Sequence, residues 1–393
     1  MNSSGPIPTM TAPELSSQTK QVIGLFPELL GPGGVQEAGR LTAAALQRIA
    51  LRREWSSEFL SFNDPRGACS LETGAGSIGF RGFGRAKIRF VLAAMSPARS
   101  VAKTVAPIAL AAHPHLAVPA RWMRAVSPRL RVIVMAHGVE VWKPLASSRR
   151  KALLAADLVL APSCDTAQKL VEVQGVAPDR VRRLPWPLNP TFLRMAAEPA
   201  RLPLPAEFPR GRIILTVGRW AASERYKGTD KLIGAVAELR RSVAGLHLVA
   251  VGGGDDLPRQ RKIAHELGVT ECVHFFENLS REQIAACYAK AEIFALPSMG
   301  EGFGLVFLEA MAFSKPVVAA AAGGATDVVE DGINGLLVPP GDTERLAETL
   351  GRLLGDEPLR LELGKRGGEI VRRKYSFEVF EAELERILCE PGL

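Results

Sequence analysis

The chain has 393 residues, too many for one ordinary hydrophobic core, so length alone favours two domains. Hydrophobic residues at 47% and charged residues at 23% exclude a disordered chain. The net charge of +8 is uneven: residues 1–200 hold 25 Lys+Arg against 13 Asp+Glu, the remainder 24 against 28, so the first half is expected to meet something anionic, whether nucleic acid, a membrane face or a phosphorylated acceptor.

In chain order, residues 1–20 show no basic stretch followed by an apolar one and read as a disordered leader rather than a signal peptide. From Gln21 the runs QVIGLFPEL, EFLSFND, IRFVLAAM, TVAPIALAAH, RVIVMAHG and DLVLAPS read as strands, each followed by a loop or helix, and define a first domain over 21–192. The segment Val105–Ala120 is interrupted by Pro107, His113, Pro114, His115 and Pro119, which rules out a spanning helix there. Prolines 190, 199, 203, 205 and 209 then erase periodicity, and 193–210 reads as a linker. A second series, RIILTVGR, LHLVAVGGG, CVHFFEN, EIFALPS, KPVVAAAAGG and GLLVPPGD, alternates with helix-length segments over 211–376. This alternation predicts an α/β protein with two doubly wound, Rossmann-like domains whose strand C-termini face a central cleft. At the end, Phe377, Phe380, Leu384 and Ile387 form one apolar stripe of a helix within 377–393, read from spacing as a cap on the second domain.

Four segments carry chemistry. In SMGEGFGLVFLEAMA a strand gives way to a glycine-rich turn and a helix opening near Gly304, whose free amides suit a phosphate. Glu301 lies in the turn, and Glu309 sits among Phe307, Leu308, Ala310 and Met311, a costly place for a carboxylate without partners. The pair suits hydroxyls of a sugar and a ribose; the plainer reading is a capped helix with a surface Glu. In TVGRWAASERYKGTDKLI, Arg219 and Lys227 follow a strand ending at Val217 and are placed to hold a diphosphate, or are simply solvated. In LGPGGVQEAGR, Gly31, Gly33 and Gly34 precede a helix beginning near Val35 and offer amides to a phosphate, or only a positive-φ turn. In VIVMAHGVEVW, His137 and Gly138 follow an apolar strand and should stand at the cleft edge.

Other features narrow the choice. Gly74, Gly76 and Gly79 match G-x-G-x-x-G, but no buried strand is expected before them, so they read as a mobile loop bearing Arg81, Arg85, Lys87 and Arg89. Five scattered cysteines without a C-x-x-C pair argue for a reducing, cytoplasmic setting and against a zinc site. His113 and His115 alone do not make a metal site. No D-x-D occurs, so no metal and no cofactor are expected; Arg, Lys and amides would have to meet a diphosphate's charge. Aromatics at 6%, not interleaved with the basic residues, argue against nucleic acid.

GRW with ERYKG, VGGGD after a strand, EGFGLVFLEAMA and AGGATDVVEDGINGLLVPPGD together resemble the retaining glycosyltransferases of family 4 (glycosyl transferases group 1), continuously from about Arg212 to Asp342. In the first half GPGGVQE and AHGVEVWKP carry a looser likeness. The resemblance implies a GT-B fold and retaining, metal-independent transfer of a hexose, mannose or glucose favoured, from a UDP- or GDP-sugar. The acceptor would be a saccharide or polyprenyl-diphosphate-linked, in cell-surface polysaccharide or glycolipid synthesis. It implies that Gly218, Arg219 and Lys227 bind the diphosphate with the amides of Gly302, Phe303, Gly304 and Leu305, and that Gly33 and Gly34 approach it from the other domain. Glu301 would hold the transferred sugar, Glu309 the ribose, and Phe275 to Asn278 the base. His137 would lie near the anomeric carbon; with Arg219, Lys227 and Glu301 it makes the expected catalytic set. The last helix would return to the first domain. Two departures are Asp327, where the family commonly has Glu after its GG pair, and LPWPLNPTF, which leaves Asn189 a poor match. A front-face displacement is favoured, since no nucleophilic carboxylate pair of the glycosidase kind is visible. A nucleotide-sugar epimerase and a non-catalytic sugar- or lipid-binding module are the alternatives. The basic first domain is also expected to dock an anionic surface at the inner face of a membrane, or a diphosphate-bearing acceptor.

Overall fold

The structure, a computed structural model, describes residues 20–100 and 107–390, without the side chains of 97–100. The leader expected over 1–20 therefore lies, except for Lys20, outside the described residues. The first domain runs through β1 (Gln21–Phe26), α1 (Gly34–Arg52), β2 (Ser56–Ser61), β3 (Gly67–Thr73), β4 (Gly76–Gly82), α2 (Lys87–Ser100), β5 (Ile108–Ala111), α3 (Ala117–Val126), β6 (Arg131–Met135), α4 (Ser147–Leu154), β7 (Leu158–Ala161), α5 (Cys164–Glu172) and β8 (Val181–Arg183). After α6 (Pro190–Ala197) the second domain follows as β9 (Arg212–Val217), α7 (Thr229–Leu239), β10 (Leu246–Val251), α8 (Leu257–Glu266), β11 (Val273–Phe276), α9 (Arg281–Lys290) and β12 (Ile293–Leu296). It continues through α10 (Leu305–Ala312), β13 (Val317–Ala320), α11 (Ala325–Val328), β14 (Gly335–Val338), α12 (Thr343–Gly355) and α13 (Glu357–Lys374), and α14 (Phe377–Cys389) closes the chain.

The first sheet has the order β3-β4-β2-β1-β5-β6-β7-β8 and the second β11-β10-β9-β12-β13-β14. Every pairing is parallel except β3 with β4. Helices cover both faces of each sheet, so the inner strands β5, β6, β7, β12 and β13 are buried at every residue, which is why they read as unbroken apolar runs.

Two expectations are corrected. IRFVLAAM is not a strand but most of α2: Phe90 and Ala94, one turn apart, are buried, while Ile88 and Leu92 face outward. A short apolar run is ambiguous between buried strand and helix, and here only one stripe meets the core. The glycine-rich stretch at 74–79 is not a mobile loop but the turn and return strand of the β3–β4 hairpin, with Thr73 paired to Gly76. Thr73 Oγ1 accepts from Ala75 N at 3.1 Å and donates to Gly76 O at 2.6 Å. The preceding segment is a strand after all, exposed along one side at the sheet edge.

The stretch expected as a linker begins inside α6, whose N-cap Asn189 accepts from Thr191 N at 2.8 Å. Phe192 and Leu193 pack on the second domain's core. At the chain's end, Phe377, Phe380, Leu384 and Ile387 enter the core formed by α1 and the first sheet, not the second domain. Arg48 and Arg52 of α1 reach Glu381 of α14 at 2.9 and 2.7 Å. Arg131 donates to the last carbonyls of α14, Ile387 O at 3.1 Å and Leu388 O at 3.4 Å, meeting acceptors that the helix itself leaves open.

Candidate functional site

In the second sheet the winding reverses between β9 and β12, so a crevice opens beyond the C-terminal ends of those two strands. Gly218 and Arg219 leave β9 there, and Ser298 to Gly304 leave β12. The first sheet reverses between β1 and β5, whose following loops carry Gly31–Gly34 and His113, and neighbouring β6 delivers His137. The two crevices meet. A Cβ on Gly138 would overlap Gly302 Cα, and one on Gly302 would overlap the His137 carbonyl oxygen, so these loops touch backbone to backbone. Gly302 O accepts from Ser163 Oγ at 2.7 Å and from Thr166 Oγ1 at 3.3 Å, both in the first domain.

Two helix N-termini face each other across this junction. Helix α1 starts at Gly34 after Gly33 (φ 123°), and α10 starts at Leu305 after Gly304 (φ 92°); neither has a side-chain cap. A Cβ on Gly34 would lie 3.9 Å from Leu305 Cδ1, so the two first turns are opposed. Their free amides and partial positive charge make a seat for an anion. Phe303 turns its ring into the core at 1% exposure, leaving only its backbone for a ligand.

Arg219 and Lys227 lie beside this seat, but not as free cations. Lys227 Nζ is 3.1 Å from Glu224 Oε2, and Arg219 binds the other oxygen of the same carboxylate. Burial acts to raise the Glu224 carboxyl, yet the two cations outweigh it and hold it below the ordinary value. The loop is tied to the glycine turn by Met299 N, which donates to Tyr226 O at 2.7 Å. Glu301 lies in the field of Lys227 and Glu224; burial raises its carboxyl, and its Oε1 is shielded from solvent without a partner.

Glu309 is met by the hydroxyl of Tyr288, which donates to Oε2 at 2.8 Å. Burial is the main force on Glu309 and, with Glu37 nearby, pushes its carboxyl up to about 7. If ribose hydroxyls donate to this carboxylate, binding favours the ionised form, so donor affinity should rise with pH through about 7. Titration calorimetry across that range, with a flat profile in Glu309→Gln, is the check; a slope retained in that variant would remove Glu309 from the ribose.

His137 is 4% exposed and sits between the rings of His113 and Trp186. Burial lowers its pKa, so the ring is neutral. Nε2 is 2.7 Å from Ala112 O and must carry the proton, leaving Nδ1 a shielded acceptor without a partner. Phe275 lies in β11 and Asn278 just beyond its C-terminal end. The Phe275 ring packs with Trp220, Ala250 and Leu257 under Arg261, and Asn278 is exposed in a left-handed conformation (φ 57°). The structure thus brings Gly33, Gly34, His137, Gly218, Arg219, Lys227 and Glu301–Leu305 to one junction, with Glu309 behind it and Phe275 packed on Trp220, the neighbour of Arg219.

Several partners escaped sequence reasoning. Glu224 opens the ERYKG stretch, three residues before Lys227, but nothing in the sequence pairs it with Arg219. Asp327 accepts from Cys164 N at 2.9 Å and Arg183 at 2.7 Å, and so bolts the second domain to the first. Glu37 joins Arg40 and Asn189 to Arg281 of the second domain, the last at 3.2 Å. Asn189 is thereby a buried structural residue.

Residues 205–369 match the family described as Glycosyl transferases group 1, and residues 33–192 match Glycosyltransferase Family 4. The chain is 37% identical over 221 residues to a D-inositol 3-phosphate glycosyltransferase of Acidothermus cellulolyticus, covering 53% of this chain and 48% of that protein. It is 36% identical over 169 residues to a GDP-mannose-dependent alpha-(1-6)-phosphatidylinositol monomannoside mannosyltransferase of Mycobacterium tuberculosis, covering 41% and 44%. The chain spans about half the length of the curated relatives it matches. Among solved structures, sucrose-phosphate synthase from Thermosynechococcus elongatus superposes with a TM-score of 0.74 at 23% identity, covering 94% of this chain and 98% of that one. Anabaena HepE in complex with UDP superposes at 0.67 and 18%, covering 94% and 99%. These neighbours share the GT-B fold of two facing parallel-sheet domains.

Proposed function

We propose, from the premise that this chain belongs to the group 1 and family 4 glycosyltransferases matched by its two halves, that it moves a hexose from a UDP- or GDP-sugar to an acceptor with retention of configuration. The observation that carries this reading is the opposition of two uncapped helix starts, at Gly34 and Leu305, beside Lys227 and Arg219. A nucleoside diphosphate is the leaving group such a seat suits, because its negative charge grows as the glycosidic bond stretches.

Mannose and glucose are the favoured sugars; relatives named for GDP-mannose and a neighbour solved with UDP support keeping both nucleotides in view. The shielded Glu301 oxygen and His137 Nδ1 are acceptors for sugar hydroxyls. Transfer is a front-face displacement: the acceptor oxygen bonds to the anomeric carbon as the bond to phosphate breaks, and the acceptor's proton leaves to the departing diphosphate. Arg219, Lys227 and the amides meet the developing charge, without a metal ion. Relatives named for an inositol phosphate and a phosphatidylinositol mannoside make a phosphorylated or lipid-borne saccharide the acceptor class to try first, beside polyprenyl-diphosphate carriers.

A thermal-shift panel of UDP-, GDP- and ADP-sugars tests the donor assignment. A ligand at a hundredfold excess over its Kd should add about 2.7 kcal/mol of stability. UDP- or GDP-sugars are expected to raise Tm. No shift with any nucleotide sugar would overturn the assignment.

A further inference from the structure

We infer that the outer face of the first domain, formed by α2, α3 and α4, docks on an anionic lipid surface. The three helices lie side by side on one face of the first sheet. Phe90 and Ala94 of α2, Ala120 and Met123 of α3, and Ala152 and Leu153 of α4 fill a common core.

What they turn outward is unusual for a solvated surface. Ile88 and Leu92, one turn apart on α2, are 77% and 60% exposed, and Trp122 on α3 is 49% exposed. An apolar stripe with a neighbouring Trp, rimmed by cations, is the composition of a helix face that lies in a membrane interface. Lys87 and Arg89 flank Ile88, Arg121 adjoins Trp122, and Arg149 and Lys151 stand exposed on α4.

The helices carry no acid of their own to offset this charge. None of the three helices contains Asp or Glu, and the chain has none between Glu72 and Glu140, against ten Lys or Arg. Some cations of the region are used internally: Arg124 pairs with Asp157, Arg81 with Glu58, and Arg131 caps α14. Lys87, Arg89 and Arg121 form no ion pair among the described residues, whereas exposed arginines of the second domain do, as Arg345 with Glu348 and Arg366 with Glu362. Charge complementarity and the apolar stripe together select an anionic bilayer. Nucleic acid would call for aromatics to stack bases, and this face offers one.

The face also reaches the site. Arg149 Nη1 is 3.2 Å from His115 Nε2, and His115 follows β5 into the cleft next to His113 and His137. A bilayer under these helices would therefore lie at the mouth of the cleft on its first-domain side.

The test is co-sedimentation of the full chain with vesicles of phosphatidylcholine alone and of phosphatidylcholine mixed with phosphatidylglycerol. Binding is expected only to the mixed vesicles, falling steeply as salt is added. The variant Lys87→Glu/Arg89→Glu/Arg121→Glu should lower partition by about 10²-fold or more. Ile88→Ser/Leu92→Ser/Trp122→Ser should also lose vesicle binding while keeping the wild-type Tm, since these side chains leave the core untouched. Equal sedimentation with both vesicle types, none with either, or no change in the two variants overturns the inference. Wild-type self-association abolished by the serine variant, without vesicle binding, would give the face to a second copy and overturn it too. None of these readouts depends on nucleotide binding, so failure of the donor assignment is separable from failure here.

Discussion

Replacing Lys227 by alanine is expected to lower the turnover of sugar transfer by about 10²-fold or more while the chain stays folded. The ammonium is largely shielded, at 15% side-chain exposure, in contact with Glu224 and in the field of Glu301. Charge developing on a leaving diphosphate there is poorly screened by water, so a fixed cation counts for more than it would on the surface. Arg219, at 72% side-chain exposure, should matter less. Glu224→Gln should act in the opposite direction on donor binding: removing the carboxylate that holds both cations lowers the donor KM. Steady-state kinetics across a range of donor concentrations, with Tm as the folding control, decide both. A kcat within about threefold of wild type in Lys227→Ala, or a raised donor KM in Glu224→Gln, would place the diphosphate elsewhere.

Gly302→Ala should also reduce transfer by about 10²-fold, through the meeting of the two domains rather than through charge. The added Cβ would overlap the His137 carbonyl oxygen, and the strain cannot pass to a flexible side chain because the obstructing atoms are backbone. The loops must part, loosening the bonds from Ser163 and Thr166 to Gly302 O and moving His137 away from Glu301. Misplacement by about 1 Å in an active site costs on the order of 10²-fold. Donor affinity should fall as well, since the two helix starts that seat the diphosphate lie one in each domain and separate when the loops part. Small-angle scattering should show a larger radius of gyration alongside the kinetic loss; unchanged kcat and shape would mean the junction is not the working state.

The second domain was legible because its strands are short and mostly apolar, β12 and β13 are buried at every residue, and β9 and β10 run directly into glycine at the crevice. RIILTVGR and EIFALPS declare both their burial and their exit toward a ligand in a few residues. The first domain was less so. Its α2 carries Ile88, Val91 and Leu92 on faces that burial does not claim, which blurs the helical period into an apolar run. The β3–β4 hairpin spends its glycines on a turn and on close packing, as where a Cβ on Gly82 would overlap Pro65 O, not on a phosphate.

By itself the sequence determined the alternation of strands and helices, the glycine turns at their ends, and which cations and carboxylates follow those turns. Those follow from local pattern, because burial on a sheet face and freedom at a turn are set within a few residues. Only the tertiary structure decided that Glu224 binds both Arg219 and Lys227, that Asp327 and Glu37 tie the domains together, that α14 belongs to α1, and that Gly138 meets Gly302. Such pairings depend on which side chains the chain brings within a few ångströms after crossing between domains, and no periodicity encodes a contact between residues 164 places apart.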